Sequence, residues 1–413
     1  MYCRFRRSCV AAFVMLLASP GVSATWAYSR PIPGWSERFD CVGAKARFEK
    51  IVRLVEDSNA PDLTGHQRWR SLLETYRPRI ERCADHRAFA EAVNDLLKST
   101  KVSHFTYYTD EEWGYWHLRH YVWSEDPLET VEQVGIYPQR IGGRWFVRGL
   151  IEGSPVASTK MRVGDEVLSV DGVPFTPIQS FKGKAGRPTH IRLRRKPGLI
   201  YSVIVEPVKA SLYRTVQRAM RKSIRVIEHN GMKMAYMHGW TMLGAGAEYE
   251  DLVDIQEIAD GLLLDYRDGC GGTWHVAARF LLGRRDDPGE PRRNPKWTKP
   301  VVILTDVGTR SAKEILVDGV KRYGRGPLVG APTPGAVTSV GGVRRVGEDG
   351  LIMLPGRRFD LEGNPTEPDY PVTRPIPYCA GADPQMEKAK QVLADLIESG
   401  TGRPARHTVG QIR

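Results

Sequence analysis

Long apolar runs are scarce in this chain of 413 residues. Beyond the first two dozen residues, none approaches the roughly 20 apolar residues that a membrane-spanning helix needs. An integral membrane protein is therefore not expected. Cysteine is sparse as well, with six in all, so the fold cannot lean on a dense disulfide framework. No Gly-rich phosphate loop of the Walker type occurs. His117 and His120 in "WHLRH" form a bare pair without further ligands in register, a weak zinc signal. There is no internal repeat. Neither a metal nor a cofactor is called for.

What is present begins with "MYCRFRRSCVAAFVMLLASPGVSA". Arg4, Arg6 and Arg7 precede a short apolar run that ends in the small residues Val22, Ser23 and Ala24. This is the pattern of a secretory signal cleaved after Ala24, and it predicts a periplasmic or secreted protein. No Cys follows the run where a lipid anchor would need one. The formal net charge is +12, to which the three leader arginines contribute. The remaining positive charges are scattered, as in "RLRRK", "RRDD" and "PRRNPK", without regularly spaced aromatics, so a nucleic-acid partner is not indicated. Cys3 and Cys9 leave with the signal. Cys41 and Cys83 bracket one helical segment, and in an oxidising compartment a disulfide between them is expected. Cys270 lies in a glycine-rich turn and Cys379 near the end; whether they pair is open.

The pattern predicts an α+β multidomain protein. After the signal (1–24), residues 25–130 form a helical region. Phe48, Ile51, Val52 and Val55 make one apolar stripe, Trp69, Leu72, Leu73 and Tyr76 a second, Phe89, Val93, Leu96 and Leu97 a third. "VSHFTYYT" then reads as a strand. Residues 131–208 are β-rich, with short strands between Gly, Pro and Asp turns. Residues 209–400 read as α/β. There "SIRVIEHNGMKMAYMHGW" predicts a hairpin around Asn230-Gly231. "GLLLDYRDG" and "VVILTD" have the continuous apolar character of strands covered on both faces. Asp383-Pro384 opens a last helix, and 401–413 is a flexible tail.

"GTRSAKEIL" (308–316) poses the functional question. Ser311 and Glu314 have the spacing of a helix capping box, yet a serine at such a position is also poised for attack. Neighbouring motifs bear on the choice. "VGI", "IEGSPVAS" and "RVGDEVLSVDGVP", in that order, resemble a PDZ domain over 131–208. Then "LLLDYRDGCGG", "GTRSAKEI", "KRYGRGPLVGAPTPGA" and "LEGNPTEPDYPV" follow in sequence. Together they resemble the C-terminal processing peptidase and tricorn-protease core family, serine peptidases built as a helical segment, a PDZ domain and an α/β core.

The resemblance implies a nucleophile at Ser311. Where the commoner branch of the family carries a Lys base, this chain has Ala336, and Arg322 stands at the accompanying Asp. Lys313 is no easy substitute, since residues i and i+2 do not share a helix face. The tricorn branch uses Ser, His and Glu with a second Ser beside the His, and it implies His104 as base, Glu362 as its orienting partner and Ser103 as support. The N–H groups of Ala312 and Gly271 are implied as the oxyanion hole. Val134, Gly135 and Ile136 are implied to bind the terminal carboxylate of a peptide or protein substrate with a free C-terminus. Cys270 replaces a glycine usual in the family's turn. Two other readings stand beside the peptidase: an inactive peptide-binding pseudoenzyme, and a binder of small hydrophobic ligands on the same core. Oligomeric state is not legible.

Overall fold

Three amphipathic stripes in the first third of the chain call for helices that bury one face each, and the computed structural model has them. It describes residues 41–83, 85–122, 130–283, 295–359, 361 and 365–400, without the side chains at 41 and 120–122. Helices α1 (Cys41–Glu56), α2 (Ala60–Thr64), α3 (His66–Ile80) and α4 (His86–Ser99) lead into strand β1 (Thr106–Thr109) and helix α5 (Trp113–Val122). Asp85 caps α4, accepting from the Ala88 N–H at 2.8 Å. All three expected stripes meet in one core. That core is not self-contained. Val346, Ile352 and Leu354 from far downstream complete it, because β1 pairs antiparallel with a late strand in the register Tyr107↔Ile352. The helical part and the α/β part thus share a hydrophobic core that the division at residue 130 does not suggest.

The β-rich unit contains β2 (Val131–Gln133), β3 (Ile136–Ile141), β4 (Arg144–Leu150), β5 (Glu166–Val170), β6 (Val173–Pro174), β7 (Thr189–Lys196), β8 (Leu199–Val205) and β9 (Val208–Ala210). Its sheet runs β3-β4-β5-β7-β8, with β6 on β5, and β2 pairs with β9. Strand β3 is therefore an edge. Ile136 faces Leu150, and the flanking bond runs from the Ile151 N–H to the Gly135 carbonyl at 2.9 Å. That makes Ile136/Leu150 a non-hydrogen-bonded pair and turns the Ile136 N–H and C=O outward.

The last part contains α6 (Leu212–Ser223), β10 (Arg225–His229), β11 (Met232–His238), α7 (Ala247–Ile255), β12 (Gly261–Asp265), α8 (His275–Leu282), β13 (Val301–Thr305), α9 (Ala312–Arg322), β14 (Leu328–Gly330), β15 (Thr338–Val346), β16 (Gly350–Arg358), β17 (Tyr370–Pro371) and α10 (Pro384–Glu398). The expected hairpin is β10–β11, with Asn230 and Gly231 both at positive φ, 52° and 77°; only turns of that handedness match the strand twist. From β11 to β17 the sheet is parallel, in the order β11-β12-β13-β14-β17. Strands β12 and β13 are buried throughout, as helices on both faces require. One face packs on α7, α8 and α9, the other on α10.

Arg148 of β4 joins the β-rich unit to this core. Its guanidinium contacts Asp268 and donates to Asp306 at 2.6 Å. Arg374 reaches the same Asp268 at 3.3 Å and the Arg148 carbonyl at 3.2 Å. The two aspartates are almost fully buried. Burial and the charge of Asp268 push the Asp306 carboxyl up, and Arg148 opposes them. Removing one partner of a buried ion pair typically costs about 3–5 kcal/mol. Arg148→Ala is therefore expected to destabilise the protein by that order, measured as a shift in the urea midpoint at unchanged slope.

Candidate active site

The strand β13 ends in buried residues, the chain turns through Asp306–Arg310, and Ser311 starts α9 on left-handed backbone, φ 61° and ψ −125°. A non-glycine residue there is uncommon and typically costs on the order of 1–3 kcal/mol unless its surroundings enforce it. The enforcement comes from Glu314. Its buried carboxylate accepts from the N–H of Ser311 at 2.9 Å, of Gly335 at 2.8 Å and of Ala336 at 2.8 Å. Burial raises its pKa while these donors oppose the rise. The Glu314 N–H in turn donates to the Ser311 carbonyl at 2.8 Å, so Ser311 occupies the cap position of the helix.

The glycine turn after β12 lies directly against Ser311. A Cβ on Gly271 would stand 2.7 Å from Ser311 Cβ and 3.0 Å from the Ala312 nitrogen. Only glycine allows this approach. The turn is fastened from two sides. Cys270 N–H donates to the Trp240 carbonyl at 2.8 Å and Met242 N–H to the Gly271 carbonyl at 2.9 Å. Lys313 Nζ donates to the Asp268 carbonyl at 2.6 Å and the Tyr266 carbonyl at 3.3 Å. Lys313 is fully buried, and burial pulls its ammonium down to about 8. It is spent on the turn's carbonyls, as its helix position suggests.

His104 also has left-handed backbone, φ 56°, and is almost wholly buried. Its Nδ1 faces Ser103 Oγ at 3.4 Å and Thr338 Oγ1 at 3.5 Å. The Thr338 hydroxyl donates to the Ser103 carbonyl at 2.6 Å, and Ser103 Oγ lies 2.5 Å from Thr338 Oγ1 while accepting from the Thr338 N–H at 3.0 Å. With both hydroxyl hydrogens directed to those partners, the oxygens facing Nδ1 are acceptors. This favours the proton on Nδ1 and leaves Nε2 with its lone pair. Among the described residues no hydrogen bond joins His104 to Ser311. Both are instead tied to one short segment, Ser311 through Glu314 to 335–336 and His104 through Ser103 to 338.

The other expected positions fare differently. Glu362 lies outside the described residues. Val134, Gly135 and Ile136 sit at the head of the edge strand β3, Gly135 at φ 90° packed on the Ser154 side chain. The Cys41 side chain is outside the description, so its pairing with Cys83 stays an expectation. His120 is likewise undescribed beyond its backbone, and His117 turns to Cys270, Nε2 to Sγ 3.0 Å. Among the described residues no cluster of three or more His, Cys, Asp or Glu could hold a metal. Thr338 had no signal in the sequence.

A serine on strained backbone at a strand–helix turn, closely approached by a glycine turn, is thus the candidate site. Residues 233–370 match the model of peptidase family S41. Tricorn protease homologs 2 and 1 of Streptomyces coelicolor are 26% and 25% identical over 92% and 91% of this chain. The chain spans about a third of those relatives, 34% and 36% of their length. The carboxyl-terminal-processing protease of Picosynechococcus sp. is 27% identical over 45% of this chain and 49% of its own. The structure of mature CPAF complexed with lactacystin has the same fold at a TM-score of 0.50 and 13% identity, covering 87% of this chain and 99% of the other. Among the described residues no helix is long and apolar enough to cross a membrane.

Burial, aided by the Arg310 charge, pulls the His104 imidazole down to about 4. A depressed pKa means that the folded state prefers the neutral ring. The stability this adds is full above the unfolded value of about 6.5 and is lost as pH falls through about 4. We expect wild type to lose up to about 3 kcal/mol over that window relative to His104→Asn, a residue that tolerates the same backbone. Urea titrations of both proteins at stepped pH measure it.

Proposed function

We propose that the protein is an exported serine peptidase in which Ser311 attacks the scissile carbonyl. The observation that carries the reading is the fit between Gly271 and Ser311, which brings a glycine turn against the first helical N–H, that of Ala312. In this reading the two N–H groups beside the serine receive the developing oxyanion, a donor set that typically supplies about 3–4 kcal/mol per group. The helix N-terminus adds its partial positive charge. His104, with Nε2 free, takes the Ser311 proton and returns it to the leaving amine. Ser103 and Thr338 hold the ring at Nδ1, and the role of orienting the ring and stabilising the imidazolium is assigned to Glu362. Closing the gap between His104 and Ser311 accompanies substrate binding, since catalytic hydrogen bonds often tighten only then.

Residues 131–208 serve, in this reading, as a PDZ domain. A substrate's C-terminal strand adds to the open edge of β3 through the outward N–H and C=O of Ile136, with its carboxylate at Val134–Ile136. The leader directs export.

A serine-directed fluorophosphonate is expected to label wild type at Ser311, found by peptide mapping. Ser311→Ala and His104→Ala should each lower kcat/KM for peptide cleavage on the order of a thousandfold, and the double variant hardly further. The acid limb of kcat/KM is expected near pH 4, where burial sets His104, and not at the usual imidazole value of about 6.5. No labelling together with binding of C-terminal peptides would establish the pseudoenzyme instead.

A further inference from the structure

Cys270 is a paired thiol. Its Sγ lies 3.0 Å from Nε2 of His117 and 3.3 Å from Oγ1 of Thr241. Three separate parts of the chain converge there: α5, the segment after β11 and the glycine turn. Trp113 stacks on the His117 ring with centroids 5.5 Å apart and planes 9° from parallel. Tyr137 of β3 meets Trp113 edge-on at 5.4 Å. The imidazole is thus buried and fixed, while Cys270 stays partly exposed. An imidazole at this distance is within reach of the thiol proton, and the thiolate is the reactive form of sulfur. Burial alone would push the Cys270 thiol up. The charge and hydrogen bond of His117, the Thr241 hydroxyl and the Lys313 charge outweigh it and bring it down to about 7. None of the groups assigned to peptide-bond chemistry needs this pair.

We propose that Cys270 and His117 form a peroxide-reactive thiol site, at which a hydroperoxide oxidises Cys270 to a sulfenic acid beside the turn that faces Ser311. The thiolate sulfur attacks one peroxide oxygen. The S–O bond forms as the O–O bond breaks, and the departing hydroxide takes the imidazolium proton to leave as water. Sulfur loses two electrons and the peroxide gains them. The new oxygen sits on the residue next to Gly271, which lies too near Ser311 for even a Cβ to fit between them. A thiol reductant reverses the step. That oxidation impairs Ser311 rests on the peptidase reading; the oxidation itself does not.

The test uses the reduced full chain, exposed to hydrogen peroxide with a 1,3-dione trap for sulfenic acid, and follows adducts by mass spectrometry. Cys379 is the internal reference, since it too is partly exposed but its Sγ contacts a backbone carbonyl, that of Val163, at 3.2 Å. Cys270 is expected to form adduct about tenfold faster than Cys379, and His117→Asn to bring it close to the Cys379 rate. Equal rates in wild type, or a folded His117→Asn that reacts as fast as wild type, would overturn the site. Fluorophosphonate labelling of Ser311 should fall with oxidation and return with dithiothreitol. Full trapping at Cys270 with unchanged labelling would overturn the link to Ser311. Unoxidised protein that never labels would count against the peptidase reading alone.

Discussion

Arg148 stands between two carboxylates that would otherwise confront each other in the interior. Asp268 belongs to the glycine turn and Asp306 to the turn that leads into Ser311. Their mutual repulsion is tolerable only while a cation bridges them. Arg374 adds a second cation on Asp268, and Lys313 holds the Asp268 carbonyl from below. The two turns that face each other at Ser311 are therefore kept together by charges borrowed from other parts of the fold. One of those charges comes from β4, the strand paired with the edge strand β3. The geometry of the candidate site and the seating of the β-rich unit are one electrostatic problem.

Glu314 does more at Ser311 than close a helix, since its carboxylate gathers three backbone donors. Here the same acid fixes Ser311 in left-handed backbone and pins Gly335 and Ala336 to the helix start. The segment so pinned continues to Thr338, where the hydroxyl network of Ser103 and His104 is attached. The strain at Ser311 is thus balanced by hydrogen bonds to Glu314 that the folded chain makes only here.

Elements governed by local rules were legible in the sequence. Asn230-Gly231 dictates its hairpin turn, and the apolar runs at 261–265 and 301–305 dictate buried strands. Gly271, Ser311 and Ala312 were legible because their motifs occur in a recognisable order, and the structure does bring them together. What long-range packing decides was not legible. Nothing local singled out Arg148 or Thr338, and His117 read as half of a poor metal pair, because each acquires its partner across a hundred residues or more of chain. The ribbon of β15 and β16 was missed for a related reason. Its glycines, Gly341 and Gly342, sit at register shifts and break the alternation by which strands are recognised.

The pairing of β1 with β16 has a consequence for biogenesis. The helices made first lack part of their own core until Val346, Ile352 and Leu354 have been synthesised. The strand that follows His104 has no partner before then. Contacts this distant in sequence form late and slowly, so a nascent chain holds His104 and Ser311 in separate, unfinished pieces. Under the proposed peptidase reading, such delayed assembly is itself a form of latency.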